Sequence, residues 1–414
     1  MKQEILLNID NPTQLEKLYR SNKTTFKNEF NSLYPELTNS PLADFWHERL
    51  QEEKAETTTF KSQDLRFIII ASLIAGMIAN LHRILNIEPD LFFQRNLGFI
   101  VLPLLSVYFI WKNKLSSGKT IVAFVATLLA VVFINLLPVN DKSDTLTLAC
   151  IHLPIFLWMI LGFCFAGNDT NDYSKRLGFL RFNGDFVVFT AILLISGGIL
   201  TGVSVGLFEI IGINLRDIHI EYIISFGLPS ALIVSTYVVQ EKPQLVNMIS
   251  PLIAKIFSPL VLVTLVIYLS AIITTGKDPY NDREFLMTFN VLIIGVMAII
   301  FFSVAETANK NETQIGRFIL LALSTITVII NGIALSAILF RISEWGITPN
   351  RIAVLGANIL MLANLLNTTF RLFKSVSSKS DIDEVENSIA KFLPVYAVWI
   401  IIVTFIFPFL FGFK

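Results

Sequence analysis

Residues 317–340 read RFILLALSTITVIINGIALSAILF, and residues 350–370 read NRIAVLGANILMLANLLNTTF. Each run is as long as the stretch of about 20 helical residues that crosses a hydrocarbon core about 30 Å thick. Only residues 341–349, RISEWGITP, separate the two runs. This pattern predicts two antiparallel membrane-spanning helices joined by a short turn.

The composition of the whole chain extends this prediction. Hydrophobic residues make up 54% of the 414 residues, charged residues make up 15%, and the mean hydropathy is +0.65. A soluble domain typically contains about 25% charged residues. We therefore predict an all-α, polytopic integral membrane helix bundle of about eleven transmembrane helices over residues 65–414. The expected spans lie near 65–85, 93–111, 120–138, 145–166, 186–208, 218–239, 253–275, 285–305, 317–340, 350–370 and 392–412.

The distribution of basic residues predicts the orientation of these spans. If the N-terminus is cytoplasmic, then from Arg49 onward the inner segments hold 17 Lys and Arg and the outer segments hold 9, while Lys255 falls within the seventh expected span. Short cytoplasmic segments of membrane proteins carry the excess of Lys and Arg. We therefore expect a protein of the cell inner membrane with a cytoplasmic N-terminus and an outer C-terminus.

Residues 1–64 precede the first span and have a different composition. The first sixty residues carry 7 Lys and Arg and 10 Asp and Glu, and they contain no apolar core of a cleavable signal. Asn11-Pro12 predicts the start of one short helix, and residues 42–50 form a second amphipathic stretch. We expect a small helical cytosolic domain that can bind a cytosolic or membrane protein partner.

The turn between the two opening runs has residues with defined backbone roles. Gly346 can end the first helix in a left-handed conformation. Thr348 before Pro349 gives an N-cap followed by proline at the first helical position. The turn is therefore predicted to be tight and to lie at the membrane surface.

A tight turn brings together Arg341, Glu344 and Arg351, with Trp345 at the interface. Two guanidinium groups beside one carboxylate suit either a structural clasp for the hairpin, which we favour, or a site for an anionic headgroup or phosphate. The predicted ligand or turn cluster comprises Arg341, Glu344, Trp345, Thr348, Asn350 and Arg351.

Polar residues inside the apolar runs form a second set of candidate sites, because such residues are costly in a bilayer and often functional. They suit interhelical hydrogen bonds or, alternatively, a polar cavity between the ninth and tenth spans. Asn364 and Asn367 are three residues apart and are expected to share a helix face. The predicted intramembrane polar sites are His152, Glu209, Glu306, Asn331, Asn364 and Asn367.

Gly198, Gly202 and Gly206 repeat at four-residue spacing in the fifth span, which predicts close packing against a neighbouring helix. Residues 202–206 also match the G-x-S-x-G pattern, but that pattern has a catalytic meaning only at a strand-to-helix turn. We therefore assign no catalytic residue to this stretch.

Several classes of function lack their sequence signatures. No two of the four His have metal-ligand spacing, and there is no P-loop or dinucleotide fingerprint. The net charge is zero, and no basic block indicates binding to nucleic acid. We predict no metal, no cofactor and no nucleic acid partner, with the lipid bilayer as the main surroundings.

Two segments resemble a known family. Residues 344–351, EWGITPNR, resemble the aromatic-Gly-aliphatic-Thr turn of a bacterial multi-pass membrane family called domain of unknown function 4153. Residues 11–20 and 45–50 resemble the N-termini of Bacteroidetes-type members. The family usually has Tyr where this chain has Trp345. The resemblance implies a bacterial inner-membrane protein, and it transfers no activity and no catalytic residue.

Three functions remain open at this point. We favour a non-catalytic membrane component, a scaffold or sensor. The alternatives are a transporter or permease for a small solute, which predicts a water-accessible cavity reaching the midplane, and an enzyme acting on a lipid-linked substrate, which predicts a groove at the outer interface beside Arg341 and Arg351. A scaffold predicts neither feature.

Overall fold

A computed structural model describes most of the chain, and the structural statements below concern the residues it describes. These are 1–37, 40–57, 62–140, 142–210, 219–241, 258–267, 269–270, 280, 283–307, 314–377 and 382–414. All regular structure within these ranges is helical, as the sequence predicts.

The described residues form eighteen α-helices, numbered here in chain order. They are α1 Lys2–Leu7, α2 Pro12–Ser21, α3 Lys23–Leu33, α4 Pro41–Thr57, α5 Ser62–Ala79, α6 Leu81–Ile84, α7 Pro89–Asn96, α8 Leu102–Lys112, α9 Ser117–Leu136, α10 Asp144–Ala166, α11 Tyr173–Ile210, α12 Ser225–Glu241, α13 Ser258–Ile267, α14 Arg283–Thr307, α15 Gln314–Trp345, α16 Pro349–Val376, α17 Ile382–Ile401 and α18 Phe407–Leu410. Short 3-10 turns at Tyr34–Glu36 and Leu97–Phe99 and π-helical turns at His219–Ile224 and Ile402–Ile406 complete the regular structure.

The chain divides into two compact units, Met1–Phe67 and Ile68–Lys414. The first unit has a core of its own, in which the rings of Tyr19, Phe26 and Trp46 lie within 5.7 Å of one another. Its second helix begins as expected, because the Asn11 side chain accepts a hydrogen bond from the backbone N–H of Gln14.

In the second unit, the described helices include eight that are long and apolar enough to cross a membrane. They cover Pro89–Lys112, Ser117–Leu136, Asp144–Ala166, Tyr173–Gly202, Tyr222–Glu241, Gln314–Trp345, Pro349–Val376 and Asp383–Leu410. The chain is therefore a helical membrane protein by the length and composition of these helices.

The hairpin predicted from residues 317–370 is formed by α15 and α16, which pack along each other. Two hydrogen bonds near their far ends fix the antiparallel register: Ser324 to Thr369 and Arg317 to Ser375. In both pairs the residue numbers add to nearly the same total, so residue 331 lies opposite residues 361–362. α14 and α17 pack on this hairpin and share its hydrophobic core.

The packing predicted for the fifth-span glycines is not observed. A Cβ atom added at Gly198 or Gly202 would meet no heavy atom within 4 Å, and both residues are exposed. The surroundings of Gly206 lie outside the described part of the chain. Other glycines form the close contacts instead: Gly76 faces the ring of Phe226, and Gly356 faces the ring of Trp399.

Candidate functional site

The α15–α16 turn has the predicted backbone geometry. Gly346 has a φ of +76°, and its N–H donates to the carbonyl of Ile342 at 2.9 Å, which ends α15. The Thr348 hydroxyl oxygen accepts from the backbone N–H of Arg351 at 3.3 Å, and Pro349 occupies the first turn of α16. The predicted backbone roles of Gly346, Thr348 and Pro349 are therefore observed.

The side chains of the turn cluster meet at an indole ring rather than at a carboxylate. The guanidinium carbons of Arg341 and Arg351 lie 5.0 and 5.8 Å from the centroid of the Trp345 ring. Glu344 is exposed and makes no ion pair with any described residue. Asn350 is half-buried in the first turn of α16. The predicted pairing of both arginines with Glu344 is therefore not the observed arrangement.

Arg351 acts as a cap for the end of α15. Its Nη1 donates to the carbonyls of Trp345 at 2.8 Å and Gly346 at 2.6 Å. The last carbonyls of a helix lack partners within the helix, and they carry partial negative charge. A cation stabilises this position, whereas an anionic ligand is repelled by it. The geometry therefore favours the clasp over the phosphate site.

A second group of polar residues lies inside the bundle and is here called the polar seam: Asn290, Asn331, Asn358, Asn364 and Tyr396. The Nδ2 of Asn358 on α16 donates to the Oδ1 of Asn290 on α14 at 2.8 Å. One and a half turns further on, the Nδ2 of Asn364 donates to the Tyr396 hydroxyl of α17 at 3.0 Å. These bonds join three helices.

Asn331 differs from the other seam residues. Its side chain is fully buried, and neither its Oδ1 nor its Nδ2 has a hydrogen-bond partner. The hairpin register places it between the levels of Asn358 and Asn364, and the Oδ1 of Asn358 also lacks a partner. An unpartnered amide buried in an apolar bundle costs about 1–3 kcal/mol per polar atom. This part of the seam therefore has unused capacity for a polar occupant.

Asn367 does not join the seam. It is half-buried, and its Oδ1 accepts from the Nε of Arg371 at 3.2 Å. Arg371 in turn forms an ion pair with Glu384 at 3.1 Å. Asn367 and Asn364 therefore serve different contacts: Asn367 orients an arginine near the end of α16, and Asn364 binds α17.

His152 has a local partner. Its Nδ1 lies 2.8 Å from the carbonyl of Leu148, one turn earlier in α10, and the ring is half-buried. This contact suits a satisfied structural histidine. Glu209 and Glu306 lie in described helices, but their side chains are outside the described part of the chain.

Sequence reasoning missed an arginine that binds the end of another helix. Arg95, which is 5% exposed, donates to the carbonyls of Ile134, Asn135, Leu137 and Pro138 at 2.9–3.3 Å, at the C-terminal end of α9. Similar contacts recur elsewhere in the bundle. Asn113 donates to the carbonyls of Cys164 and Phe165, Lys119 to those of Gly167 and Asn168, and Arg181 to that of Ala305.

In the second unit, the sequence analysis also did not single out two buried carboxylates, Asp185 on α11 and Glu386 on α17, which are 4% and 8% exposed. α11 and α17 pack against each other. Asp185 was passed over because it falls just before the apolar run of the fifth span. Glu386 lies six residues before the eleventh predicted span, and its position in an amphipathic helix start is the signal that could have indicated burial.

The structure also locates a cavity of about 110 Å³, which lies between the α9–α10 connection and the segment after α18. Its lining includes Leu137, Ser143, Thr145, Pro408 and Phe413. It touches neither the polar seam nor the turn cluster.

Among the described residues, no group of three or more His, Cys, Asp or Glu is placed to hold a metal ion. Comparisons with protein-family models, curated proteins and solved structures find no match to this chain.

Proposed function

We propose that the chain is a non-catalytic component of a bacterial inner membrane, a scaffold or sensor, whose N-terminal residues 1–64 bind a cytosolic or membrane protein partner. The observation that carries this proposal is the use of charged side chains in the bundle. Arg95, Arg181 and Arg351 all donate to backbone carbonyls, so their charge stabilises helix ends instead of facing a ligand.

The N-terminal unit supports the same proposal. It has an aromatic core of its own, and its surface displays apolar side chains that the core does not use. Leu7 is 84% exposed and Phe45 is 60% exposed. These two apolar side chains are available to a partner, because the core of the unit is complete without them.

Photo-crosslinking in the native membrane tests the partner proposal. A crosslinking amino acid at Phe45 should capture one protein reproducibly, and the capture should be lost when Leu7 is changed to Asp. The same crosslinker at Lys142, in the α9–α10 connection, is the control. Equal capture from both positions, or no capture from either, would exclude a partner for this unit.

We also propose eleven spans with the N-terminus inside. The expected spans 65–85 and 285–305 overlap α5 and α14, and the expected span 253–275 overlaps α13 and lies partly outside the described residues. An odd number of spans places the ends of residues 1–414 on opposite sides of the membrane. A reporter fused after Lys414 should therefore read as outside, and a reporter fused before Met1 should read as inside. Two equal readings would contradict the odd count.

Membership of the family called domain of unknown function 4153 remains part of this proposal. It is supported by the EWGITPNR segment, whose turn geometry the structure displays at Gly346 and Thr348. The residue pattern of that turn is what the resemblance rests on. An alignment in which the Gly and Thr of the family's turn fall on residues of this chain other than Gly346 and Thr348 would contradict it.

A small-solute permease is the second candidate, favoured by the unpartnered amide of Asn331 and the unpartnered Oδ1 of Asn358. In a permease, water or solute reaches these groups during the transport cycle. Asn331→Cys, made in a chain with Cys150 and Cys164 replaced by Ala, would then react with a membrane-permeant thiol reagent. Leu323→Cys, equally buried on the same helix, is the matched control. Protection of both positions would favour the scaffold.

A further inference from the structure

The first turn of α11 carries an aromatic ring flanked by two cations from different helices. The guanidinium carbon of Arg176 lies 5.5 Å from the centroid of the Tyr173 ring, and the Nζ of Lys391 on α17 lies 5.3 Å from the same centroid. The Tyr173 side chain is 38% exposed. The two positive charges therefore converge on one accessible surface at the junction of two packed helices.

Neither cation is neutralised by an acidic partner. Among the described residues, Arg176 and Lys391 form no ion pair, and the Nε of Arg176 donates to the carbonyl of Thr170 at 3.0 Å. The carboxylate nearest to Arg176 in sequence is that of Asp172. It accepts hydrogen bonds from the N–H and hydroxyl of Ser174 at 2.8 and 2.7 Å. These bonds, together with the charge of Lys175, hold the pKa of Asp172 below its usual value.

Two other basic residues of the bundle, Lys112 and Arg371, are neutralised by carboxylates. Lys112 forms an ion pair with Glu241 at 2.7 Å, and Arg371 forms one with Glu384 at 3.1 Å. By contrast, Arg176 and Lys391 share only an aromatic ring. Cations that remain unpaired beside a membrane suit an anion supplied from outside the protein.

The position of the pair indicates which anion. Tyr173 is the first residue of α11, and Lys391 directly precedes the last apolar run of the chain. Tyr rings and basic side chains at such helix ends lie at the level of lipid headgroups. Below this level both helices expose apolar side chains, such as Val187 and Val395, along which acyl chains can pack.

We propose that Arg176, Lys391 and Tyr173 form a binding site for the phosphate of an anionic phospholipid headgroup. The Nη groups of Arg176 donate to the phosphate oxygens, and the Lys391 ammonium donates to the same phosphate from α17. A guanidinium and an ammonium both form charge-assisted hydrogen bonds with phosphate. The site depends neither on the orientation of the chain nor on its proposed role as a scaffold.

Native mass spectrometry and thermal unfolding test the site on the full chain. The protein is transferred from detergent into nanodiscs of phosphatidylcholine alone or with added phosphatidylglycerol. We expect phosphatidylglycerol to raise the thermal midpoint and to remain as an adduct of the released protein. In the double variant Arg176→Gln/Lys391→Gln, the apparent lipid affinity should fall about thirtyfold. This is the combined contribution of two basic residues to the affinity for an anionic membrane surface.

Control variants separate this site from general electrostatics. Lys374→Gln removes a cation that lies 4.6 Å from the Phe370 ring on another helix, and it should leave the lipid effect unchanged. The conservative pair Arg176→Lys/Lys391→Arg should keep most of the effect, and it also controls for misfolding of the Gln variant. Equal phosphatidylglycerol effects in the wild type and the Gln variant would overturn the proposal. Equal protection by inorganic phosphate would also overturn it, since the site would then bind a free anion.

Discussion

Arg95 donates to the backbone carbonyl of Leu137 at 2.9 Å, although 42 positions of sequence separate the two residues. The same guanidinium also reaches the carbonyls of Ile134 and Pro138. The last carbonyls of a helix have no helical partners, and water is scarce within a bilayer. One buried arginine thus supplies the donors that solvent would provide in a soluble protein.

Replacing this arginine should have a large effect on stability. Arg95→Ala leaves several carbonyls of α9 without donors, and we expect the free energy of unfolding to fall by about 3 kcal/mol. Arg95→Lys keeps the charge but lacks the planar fork, so its effect should be intermediate. Detergent unfolding curves measure both changes. The exposed Lys142→Ala should stay within about 0.5 kcal/mol of the wild type, and a loss as large as that of Arg95→Ala would contradict this account.

The turn cluster gives a prediction that separates two of its members. Arg351→Ala removes the donors to the carbonyls of Trp345 and Gly346, and it should lower the free energy of unfolding by about 1 kcal/mol. Glu344→Gln should have almost no effect, because the exposed Glu344 carboxylate makes no ion pair with a described residue. Thermal midpoints of the two purified variants provide the test. A greater loss from Glu344→Gln would restore the carboxylate as the centre of the clasp.

Two glycines on the same hairpin should respond in opposite ways to Ala. A Cβ at Gly356 would collide with the Trp399 ring, so Gly356→Ala should destabilise the α16–α17 contact by about 1–3 kcal/mol. A Cβ at Gly332 on α15 meets no atom within 4 Å, so Gly332→Ala should be neutral or stabilising by up to about 1 kcal/mol. The two unfolding midpoints, measured in one detergent, decide the matter. Equal shifts would mean that Trp399 moves aside without cost.

The N-terminal unit should lose stability in acid. The Glu16 carboxylate accepts hydrogen bonds from Arg20 at 2.8 Å and Arg49 at 2.9 Å, and these bonds lower its pKa from the ordinary 4.5. A group whose pKa is lower in the folded state stabilises that state above its unfolded pKa. This contribution is lost as the pH falls below about 4.5 and through the folded value.

Hydrogen exchange of peptides from residues 1–57, corrected for the intrinsic pH dependence, measures this loss. Protection in the wild type should decrease between pH 6 and pH 3.5. Glu16→Gln should show weaker protection at pH 6 and a smaller decrease. Tyr34 provides an opposite control, because its hydrogen bond to Asp44 raises the pKa of the Tyr34 hydroxyl, and its contribution is lost only above pH 10. An identical acid response in the wild type and Glu16→Gln would exclude Glu16 as its source.

The helical class and the turn were predictable because both depend on local sequence. The apolar runs have the length that the bilayer thickness requires. The backbone preferences of Gly346 and Thr348-Pro349 specify the turn without help from distant residues. The N-terminal helices follow the same principle, since Leu15 and Tyr19 recur at helical spacing and are buried. Phe45 belongs to the predicted amphipathic stretch but is exposed, because Ala43, Trp46 and Leu50 form the buried stripe of α4.

The polar contacts could not be predicted in the same way. Arg95 lies near the end of α7, where no sequence pattern indicates a contact with α9, and only the fold brings the two together. Likewise, Asn358 is identified as a partner of Asn290 only once three helices are assembled. The arginines of the turn share a contact with the Trp345 ring, a geometry that residue spacing alone does not specify.

The start of α10 depends on residues made much later in synthesis. The N–H of Thr145 donates to the carbonyl of Lys414, and the Ser143 hydroxyl donates to that of Phe413, 270 positions further along the chain. At about 5–20 residues per second, a ribosome needs roughly 14–54 s to cover this distance. During that interval α10 is already within reach of the membrane, while its first turn has not yet met these two carbonyls. Phe413 and Lys414 therefore complete the hydrogen bonds at the start of α10 only after the helices between them have been synthesised.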